Sequence, residues 1–176
     1  AREERVLGLG EVMNFPGVLA GEATLLDKIA LFRQAGKVIE GHSPGLRGKE
    51  LSAYVAAGIR SDHEATDAAE AAEKVSKGMW VMIREGSAAR DLEALRPAVT
   101  RENARRFLLC SDDRHPTDLE REGHIDRMLR MLAERGVDPI DALRMATLNP
   151  AERFGLRSFG AVAPGYRADL ALIDSL

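Results

Sequence analysis

Segments with two different spacings of apolar residues alternate along this chain. Short apolar runs of strand length end at polar residues, and the intervening segments repeat apolar residues every three or four positions, as Leu25, Ile29 and Phe32 do. The first period is typical of buried strands and the second of amphipathic helices. The predicted strands are residues 5–14, 37–42, 58–63, 80–87 and 105–113, and the helices between them are residues 21–36, 46–58, 64–78 and 87–99. A helix after each strand predicts parallel pairing in an α/β fold.

The last third of the chain departs from this alternation. An apolar stripe predicts a helix at 124–136, and residues 137–155 predict one further helix, with Asp138 as its N-cap and Pro139 at its first position. In the tail, a Pro-Gly turn separates two short alternating runs, which predicts an antiparallel β-hairpin at 160–174.

The number of βα units limits the possible folds. A closed (β/α)8 barrel commonly needs about 250 residues, whereas this chain has 176 residues and five predicted strands. The pattern therefore predicts either a smaller open sheet or the last five units of a TIM-like barrel whose first strands lie elsewhere. The first residue is Ala1 rather than Met, which favours a chain cut from a longer one.

Composition excludes several classes of function. The formal net charge is −3, which provides no basic surface for nucleic acid. No apolar run approaches the about 20 residues of a membrane span. The single cysteine, Cys110, excludes an intrachain disulfide and a cysteine-built zinc site, and favours the reducing cytoplasm.

Ionisable residues recur where the predicted strands end. In α/β folds the carboxyl ends of parallel strands meet at one edge, where chemistry is placed. Two imidazoles with two or three carboxylates suit a divalent ion such as Zn²⁺, Mn²⁺ or Fe²⁺, and water activation is the chemistry that such an ion supplies. The residues concerned are Glu11, His42, His63, Glu85, and Asp112 with Asp113.

Each of these residues also has a plainer interpretation. A lone histidine at a strand end is commonly structural, and the aspartate pair could form a turn. Because neighbouring side chains alternate along a strand, only one aspartate of the pair can face the site, and we favour Asp112 over Asp113. Arg84, Ser87 and His115 could bind a polar substrate, although solvated loops are the default for such residues.

Longer segments resemble a known family. GLGEVMNFPGV, EGHSPGLRGKELSAYVAAGIRSDHE, GMWVMIREGSAARDL, CSDDRHP and ALRMATLNPAERFGL closely resemble the bacterial adenine deaminases of the amidohydrolase superfamily, across nearly the whole chain. The resemblance implies a metal-dependent (β/α)8 barrel that hydrolyses adenine to hypoxanthine and ammonia, in purine salvage or adenine catabolism. It also implies that residues 1–157 form the C-terminal part of this barrel and that residues 158–176 begin the return into a small β-sandwich domain.

The same resemblance implies roles for individual residues. Glu11 would bridge two metals, with Mn²⁺ or Fe²⁺ expected and Zn²⁺ possible, and His42 and His63 would be ligands after the fifth and sixth barrel strands. Asp112 would be a ligand after the eighth strand and would transfer the proton of the attacking water. The full-length protein is expected to be a homo-oligomer that binds a purine base.

The substrate would meet a second group of residues. Glu85 is our candidate for the catalytic acid that protonates the adenine ring, with Glu64 as the less favoured choice. The segment with Arg84 and Ser87 matches a strand region that we take to face the substrate, and Asp113 and His115 complete the predicted substrate contacts.

One family motif is missing. No His-x-His pair occurs in the 176 residues, although the family carries two ligands in this motif after its first strand. We therefore expect a fragment that is inactive alone. Two alternatives stay open: a cyclic amidohydrolase that opens a lactam-like ring, and a non-catalytic module with an amidohydrolase-like scaffold.

Overall fold

A computed structural model describes residues 1–174 of the chain. The chain divides into two compact units, residues 1–82 and the residues from 83 onward, and the division falls inside the fourth strand. Each unit is built from strands and helices that alternate along the sequence.

The first unit contains parallel strands joined by helices, as predicted. Its strands are β1 (Gly8–Val12), β2 (Val38–Gly41), β3 (Ser61–Asp62) and the beginning of β4 (Trp80–Arg84), and its helices are α1 (Phe15–Leu19), α2 (Ala23–Gln34), α3 (Gly48–Ala56) and α4 (Ala68–Ser76). β1 pairs with β2 and β3 pairs with β4, both in parallel. The register Val12↔Gly41 brings the carboxyl ends of β1 and β2 side by side.

The core of the first unit lies between these strands and the apolar faces of α2 and α3. Ile29, Leu51 and Tyr54 are buried, and Leu25 and Phe32 pack against them while partly exposed. Leu25, Ile29 and Phe32 are the residues whose helical spacing predicted the apolar stripe of α2. Burying one large apolar side chain contributes about 1.5–3 kcal/mol, so this face holds the helices against the strands.

The second unit is mainly helical. It contains the end of β4, α5 (Leu92–Leu95), two 3-10 turns (Arg96–Ala98 and Ala104–Arg106), β5 (Phe107–Cys110), α6 (Pro116–Glu122), α7 (Ile125–Glu134), α8 (Pro139–Ala146) and α9 (Leu148–Phe154). The Glu85 amide donates to the Cys110 carbonyl at 3.0 Å, which joins the segment after β4 to the end of β5. Phe107 of β5 and Met128 and Leu132 of α7 are buried in its core.

The helix predicted at 137–155 is wrong in one respect, because two helices occupy that segment. The chain breaks at Thr147, which has φ −128° and ψ −78°. Proline has no N–H to donate and its ring clashes with the carbonyl four residues earlier, so Pro150 prevents an unbroken helix through Ala146. The buried Asn149 side chain donates to the carbonyl of Ala104, before β5, at 3.0 Å and to that of Phe107, in β5, at 2.8 Å. The start of the segment is as predicted.

At that start, the Asp138 side chain accepts hydrogen bonds from the amides of Ile140 and Asp141, at 2.9 and 3.2 Å. Pro139 occupies the first position of α8. The predicted N-cap is therefore confirmed, because the carboxylate binds amides that lack an intrahelical partner.

The predicted hairpin is not found in the tail, since residues 158–174 contain no strand. Leu170 and Leu172 are largely exposed there. An isolated two-stranded hairpin is at best marginally stable in water, so the alternating pattern is insufficient without a third strand or a helix beneath it. Residues 175 and 176, the end of the segment assigned to a sandwich domain, lie outside the described residues, and that assignment stays a prediction.

The helices of the described chain are short. The longest, α2, has 12 residues, whereas an apolar helix needs about 20 residues to cross a bilayer. Within residues 1–174, none is both long enough and apolar enough for a membrane span.

Candidate metal centre

Three residues predicted from the strand ends meet in the first unit. Glu11 lies on β1, His42 directly follows β2, and His63 directly follows β3. Glu11 Oε2 lies 3.0 Å from His42 Nδ1 and 3.1 Å from His63 Nε2, so both imidazoles face one carboxylate oxygen. The three potential ligand atoms all lie within 4.8 Å of one another. We call these three residues the histidine cluster, and their role as metal ligands stays a prediction.

The histidine cluster is reachable from solvent on one side. The Glu11 side chain is 42% exposed, whereas those of His42 and His63 are 20% and 14% exposed. The two rings are 5.4 Å apart, centroid to centroid, and 72° from coplanar, so their nitrogens converge without ring stacking. The cluster is thus exposed to solvent mainly at the Glu11 carboxylate.

A second carboxylate, Glu64, adjoins the cluster. Its Oε1 lies 3.4 Å from His63 Nε2 and 3.7 Å from His42 Nδ1, and its side chain is 14% exposed. The sequence analysis gave Glu64 only as the less favoured candidate for the ring-protonating acid. β3 ends at Asp62, so His63 and Glu64 both lie in the segment that follows this strand. The sequence signal for Glu64 was its position directly after His63, a predicted metal ligand.

The ends of β1 and β2 are joined by a buried tyrosine. The Tyr54 hydroxyl donates to the Val12 carbonyl at 2.9 Å and accepts from the His42 amide at 3.0 Å. Burial raises the pKa of Tyr54, and the hydrogen bond from the amide opposes this only in part. The hydroxyl therefore stays protonated and keeps donating, which fixes the backbone on both sides of the cluster.

Glycine is required at the end of β2 for close packing. A Cβ on Gly41 would collide with the Ser61 carbonyl oxygen, which belongs to the backbone and cannot easily move aside. The absence of a side chain thus lets the segments that carry His42 and His63 approach each other.

A buried carboxylate lies behind the two histidines. Asp62 Oδ1 accepts from the Ser43 amide at 2.7 Å and from the Ser43 hydroxyl at 2.8 Å, and Asp62 Oδ2 accepts from Lys74 Nζ at 2.7 Å. Burial alone would raise the pKa of Asp62, but the Lys74 charge and these hydrogen bonds outweigh it and hold the pKa below its usual range. Asp62 is therefore a carboxylate at neutral pH.

In the second unit, the predicted residues take part in internal ion pairs. Arg84 contacts Asp91 and Asp112, both at 3.2 Å. Glu85 Oε1 accepts from Arg127 at 3.1 Å, and its Oε2 accepts from a backbone amide at 3.4 Å. Asp112 has φ 50°, the only positive φ among the described non-glycine residues. Such backbone positions are uncommon and concentrate at functional sites, although aspartate tolerates them better than most residues.

The remaining predicted residues connect the loops that follow β4 and β5. The Ala88 amide donates to Asp113 Oδ2 at 2.8 Å, and this hydrogen bond lowers the pKa of Asp113. Ser87 Oγ accepts from the His115 amide at 2.8 Å and donates to Asp118. These contacts fix the loops. The substrate contacts assigned to Ser87, Asp113 and His115 stay predictions.

Comparison with known proteins decides the family. Residues 2–175 match the model of the Amidohydrolase family. This chain belongs to the amidohydrolase family. The match extends over both units, so the family assignment covers the histidine cluster as well as the ion-paired loops of the second unit.

Curated relatives in this family are closely similar. Adenine deaminase from Nitratidesulfovibrio vulgaris strain DP4 is 57% identical over 174 residues, and adenine deaminase from Kosmotoga olearia is 50% identical over 175 residues. Both alignments cover 99% of this amidohydrolase chain but 30% of the relative. The chain thus spans about 30% of the length of these relatives.

Solved structures extend the comparison at the level of the fold. N-acetyl-D-glucosamine-6-phosphate deacetylase from Mycobacterium smegmatis superposes with a TM-score of 0.60 at 22% identity, covering 83% of this chain and 46% of that one. An uncharacterized metal-dependent hydrolase from Pyrococcus horikoshii OT3 gives 0.52 at 16% identity, covering 82% and 35%. These structures, the family match and the parallel strand pairs together confirm one of the two predicted folds. The chain forms part of a TIM-like hydrolase barrel and not a smaller open sheet.

Proposed function

We propose that this chain contributes part of the metal-dependent site of an enzyme that hydrolyses adenine to hypoxanthine and ammonia. One observation carries the proposal: two relatives named adenine deaminase are 57% and 50% identical to the chain across 99% of its length. The convergence of Glu11, His42 and His63 adds support, because metal-assisted hydrolysis needs such a donor set. The predicted homo-oligomer and cytoplasmic location stay predictions.

The histidine cluster fits a divalent cation. Its donors are two imidazole nitrogens and a carboxylate oxygen, which suit Mn²⁺, Fe²⁺ or Zn²⁺ better than the all-oxygen preference of Mg²⁺ or Ca²⁺. His42 Nδ1 and His63 Nε2 would bind one ion together with Glu11 Oε2, the oxygen that both nitrogens already face. Water activation near neutral pH is the chemistry that the ion supplies in such a site.

Glu64 and Glu85 are the two candidates for the ring-protonating acid, and their surroundings differ. Glu85 is buried, and its two oxygens bind Arg127 and the Leu92 amide. Both Glu85 oxygens are thus occupied by donors of the protein itself. Glu64 Oε1 faces the two imidazoles instead. This contrast supports Glu64 over Glu85, the acid favoured from the sequence, as the group that donates a proton to a ring nitrogen.

Asp112 keeps the role that the family resemblance assigns to it. Its carboxylate would accept the proton of the attacking water and pass it to the departing amine, as a general base and then a general acid. The Arg84 guanidinium, 3.2 Å from Asp112 Oδ2, would hold the carboxylate in one orientation between these two transfers.

The direct test measures products from adenine. The protein encoded by the complete gene that contains this chain is loaded with Mn²⁺, Fe²⁺ or Zn²⁺ and supplied with adenine, and hypoxanthine and ammonia are quantified. We expect equal amounts of both products. Ring opening of a lactam or hydantoin without ammonia from adenine would replace the proposal with a cyclic amidohydrolase. Folded protein that neither retains metal nor turns over either substrate would indicate a non-catalytic module.

The acid is identified by two matched variants in the same protein, Glu64→Gln and Glu85→Gln. Loss of a proton donor should lower turnover by about 10²–10⁴-fold while metal content is retained. We expect this result for Glu64→Gln and mainly a loss of stability for Glu85→Gln. A fall in metal content in Glu64→Gln would make Glu64 a ligand instead, and a large turnover loss confined to Glu85→Gln would restore Glu85.

A further inference from the structure

Lys74 is the most unusual charged residue of the first unit. It lies on α4, in an alanine-rich helix with many charges, yet its side chain is 0% exposed. A buried ammonium is costly unless paired and fully hydrogen-bonded. Lys74 Nζ meets this condition with the Ser43 carbonyl at 2.8 Å, Asp62 Oδ2 at 2.7 Å and Glu70 Oε1 at 2.6 Å, which match its three N–H donors.

The partners of Lys74 lie next to the two histidines in sequence. Ser43 directly follows His42, and Asp62 directly precedes His63. Lys74 Nζ thus binds the backbone carbonyl of Ser43, after His42, and the side chain of Asp62, before His63. The Lys74 ammonium therefore links Ser43 and Asp62, which are 19 positions apart in sequence and each adjacent to a predicted ligand.

Asp62 makes the same connection a second time. One of its oxygens accepts from the amide and hydroxyl of Ser43, and the other accepts from the Glu64 amide at 2.9 Å as well as from Lys74. The residues that follow both histidines are therefore bound to a single carboxylate. Ser43, Asp62 and Lys74 are buried, and Glu70 is almost completely buried, so water does not compete for these bonds.

Stability alone is a weak reason for this arrangement. Replacing a buried ion pair by well-packed apolar residues is often neutral or stabilising, so buried charges are better explained where they fix geometry. Here the buried charges connect Ser43 and Asp62, which are the sequence neighbours of His42 and His63. Residues that orient metal ligands from behind commonly change metal affinity by about 10–100-fold when they are altered.

We propose that Lys74 is a positioning residue that, through Asp62 and Ser43, sets the distance and direction of His42 and His63 for one divalent cation. Lys74 does not touch the ion or the substrate. The inference rests on the proposed metal site, and it adds a residue of α4 to those on which that site depends.

The test compares Lys74→Met with Lys77→Met in the protein encoded by the complete gene that contains this chain. Lys77 directly follows α4 as its C-cap and contacts Glu73 and Ser52 while partly exposed, so its replacement controls for the loss of a lysine at this helix. Mn²⁺ dissociation constants are measured by calorimetry under conditions in which circular dichroism shows each variant folded, and Co²⁺ spectra report the ligand geometry. We expect Lys74→Met to weaken Mn²⁺ binding by about 10–100-fold and to alter the Co²⁺ spectrum, with neither change in Lys77→Met.

The outcomes separate this inference from the metal site itself. If Lys74→Met melts at a lower temperature but binds Mn²⁺ within twofold of the parent, the lysine is only structural and the inference is wrong, while the site stands. If the parent protein binds no Mn²⁺, Fe²⁺ or Zn²⁺, both are wrong.

A milder variant covers the case in which Lys74→Met does not fold. Ser43→Ala removes one hydrogen bond to Asp62 and leaves the lysine paired. It should weaken Mn²⁺ binding by about fivefold or more and shift the Co²⁺ spectrum in the same direction, as expected for a residue behind a ligand. Unchanged binding and an unchanged spectrum in folded Ser43→Ala would overturn the inference.

Discussion

The carboxylates predicted for the site have different partners in the two units. In the first unit, Glu11 faces two imidazoles through one oxygen. In the second, Asp112 faces Arg84 and Glu85 faces Arg127. An arginine is always charged and can only donate hydrogen bonds, whereas an imidazole nitrogen can also serve as a metal ligand. The comparison indicates that the histidine cluster suits an added cation, whereas Asp112 and Glu85 are each already paired with an arginine of the protein.

The largest expected effect is on metal binding, and the four histidines provide a matched pair of double variants. His42→Ala with His63→Ala should abolish detectable Mn²⁺ binding, because it removes both nitrogen donors of the cluster. His115→Ala with His124→Ala should leave binding unchanged. Calorimetric titration of both double variants and the parent checks this. Equal losses in the two would mean that the contrast between the units is wrong.

Next in size is the effect of Asp112→Asn on turnover. If Asp112 transfers protons, its amide should lower adenine turnover in the complete enzyme by about 10²–10⁴-fold with the fold intact. Asp27→Asn, on the exposed surface of α2, is the control and should turn over adenine as the parent does. Turnover of Asp112→Asn within a few-fold of the parent would exclude the assigned role.

Asp62→Asn tests the buried charges behind the cluster. At pH 7 the variant should lose about 3–5 kcal/mol of unfolding free energy, because a buried charge loses a partner. The folded pKa of Asp62 lies below its ordinary value of 3.8, so its contribution is present above that value and is lost as pH falls through the folded pKa.

Urea unfolding at pH 7, 5, 4 and 3 measures this dependence. The gap between the parent and Asp62→Asn should therefore narrow below about pH 4. Asp27→Asn, on the exposed surface of α2, should follow the parent at every pH. A gap that stays constant down to pH 3 would contradict the lowered pKa.

The smallest effect is expected from Tyr54→Phe. Loss of the hydroxyl leaves the His42 amide and the Val12 carbonyl without this partner, which should cost about 1–3 kcal/mol of unfolding free energy. Tyr166→Phe, in the partly exposed tail, should change stability by less than about 0.5 kcal/mol. Urea unfolding compares them, and similar values for both variants would show that the tyrosine does not join the strand ends.

The predictions from sequence succeeded where one local pattern determined the outcome. Apolar spacing located α2 and α3, and the strand ends located Glu11, His42 and His63. The predictions were wrong where the local structure depended on residues far away in the sequence. One helix became two at Thr147, and the alternating tail formed no strand within residues 158–174. Alternation supplies one face of a hairpin, but a surface to cover that face must come from elsewhere in the fold.

Lys74 and Glu64 show the same limit within the site. Lys74 occurs in a charged, alanine-rich segment that is typical of a solvated helix, and its burial depends on Asp62 and Ser43, which lie on other segments. Glu64 is the less favoured acid from sequence, and its approach to His42 follows only from the packing of the segments after β2 and β3. The burial of Lys74 and the approach of Glu64 to His42 both depend on residues far away in the sequence.

The sequence by itself determined the α/β alternation, the parallel pairing of the strands and the residue types at their carboxyl ends, because helical and strand periods are local properties of the chain. Tertiary structure alone decided that Glu11 Oε2 faces both imidazoles and that Lys74 is buried behind them. Hydrogen bonds and ion pairs join residues far apart in sequence, and their distances are set only when the strands and helices have packed.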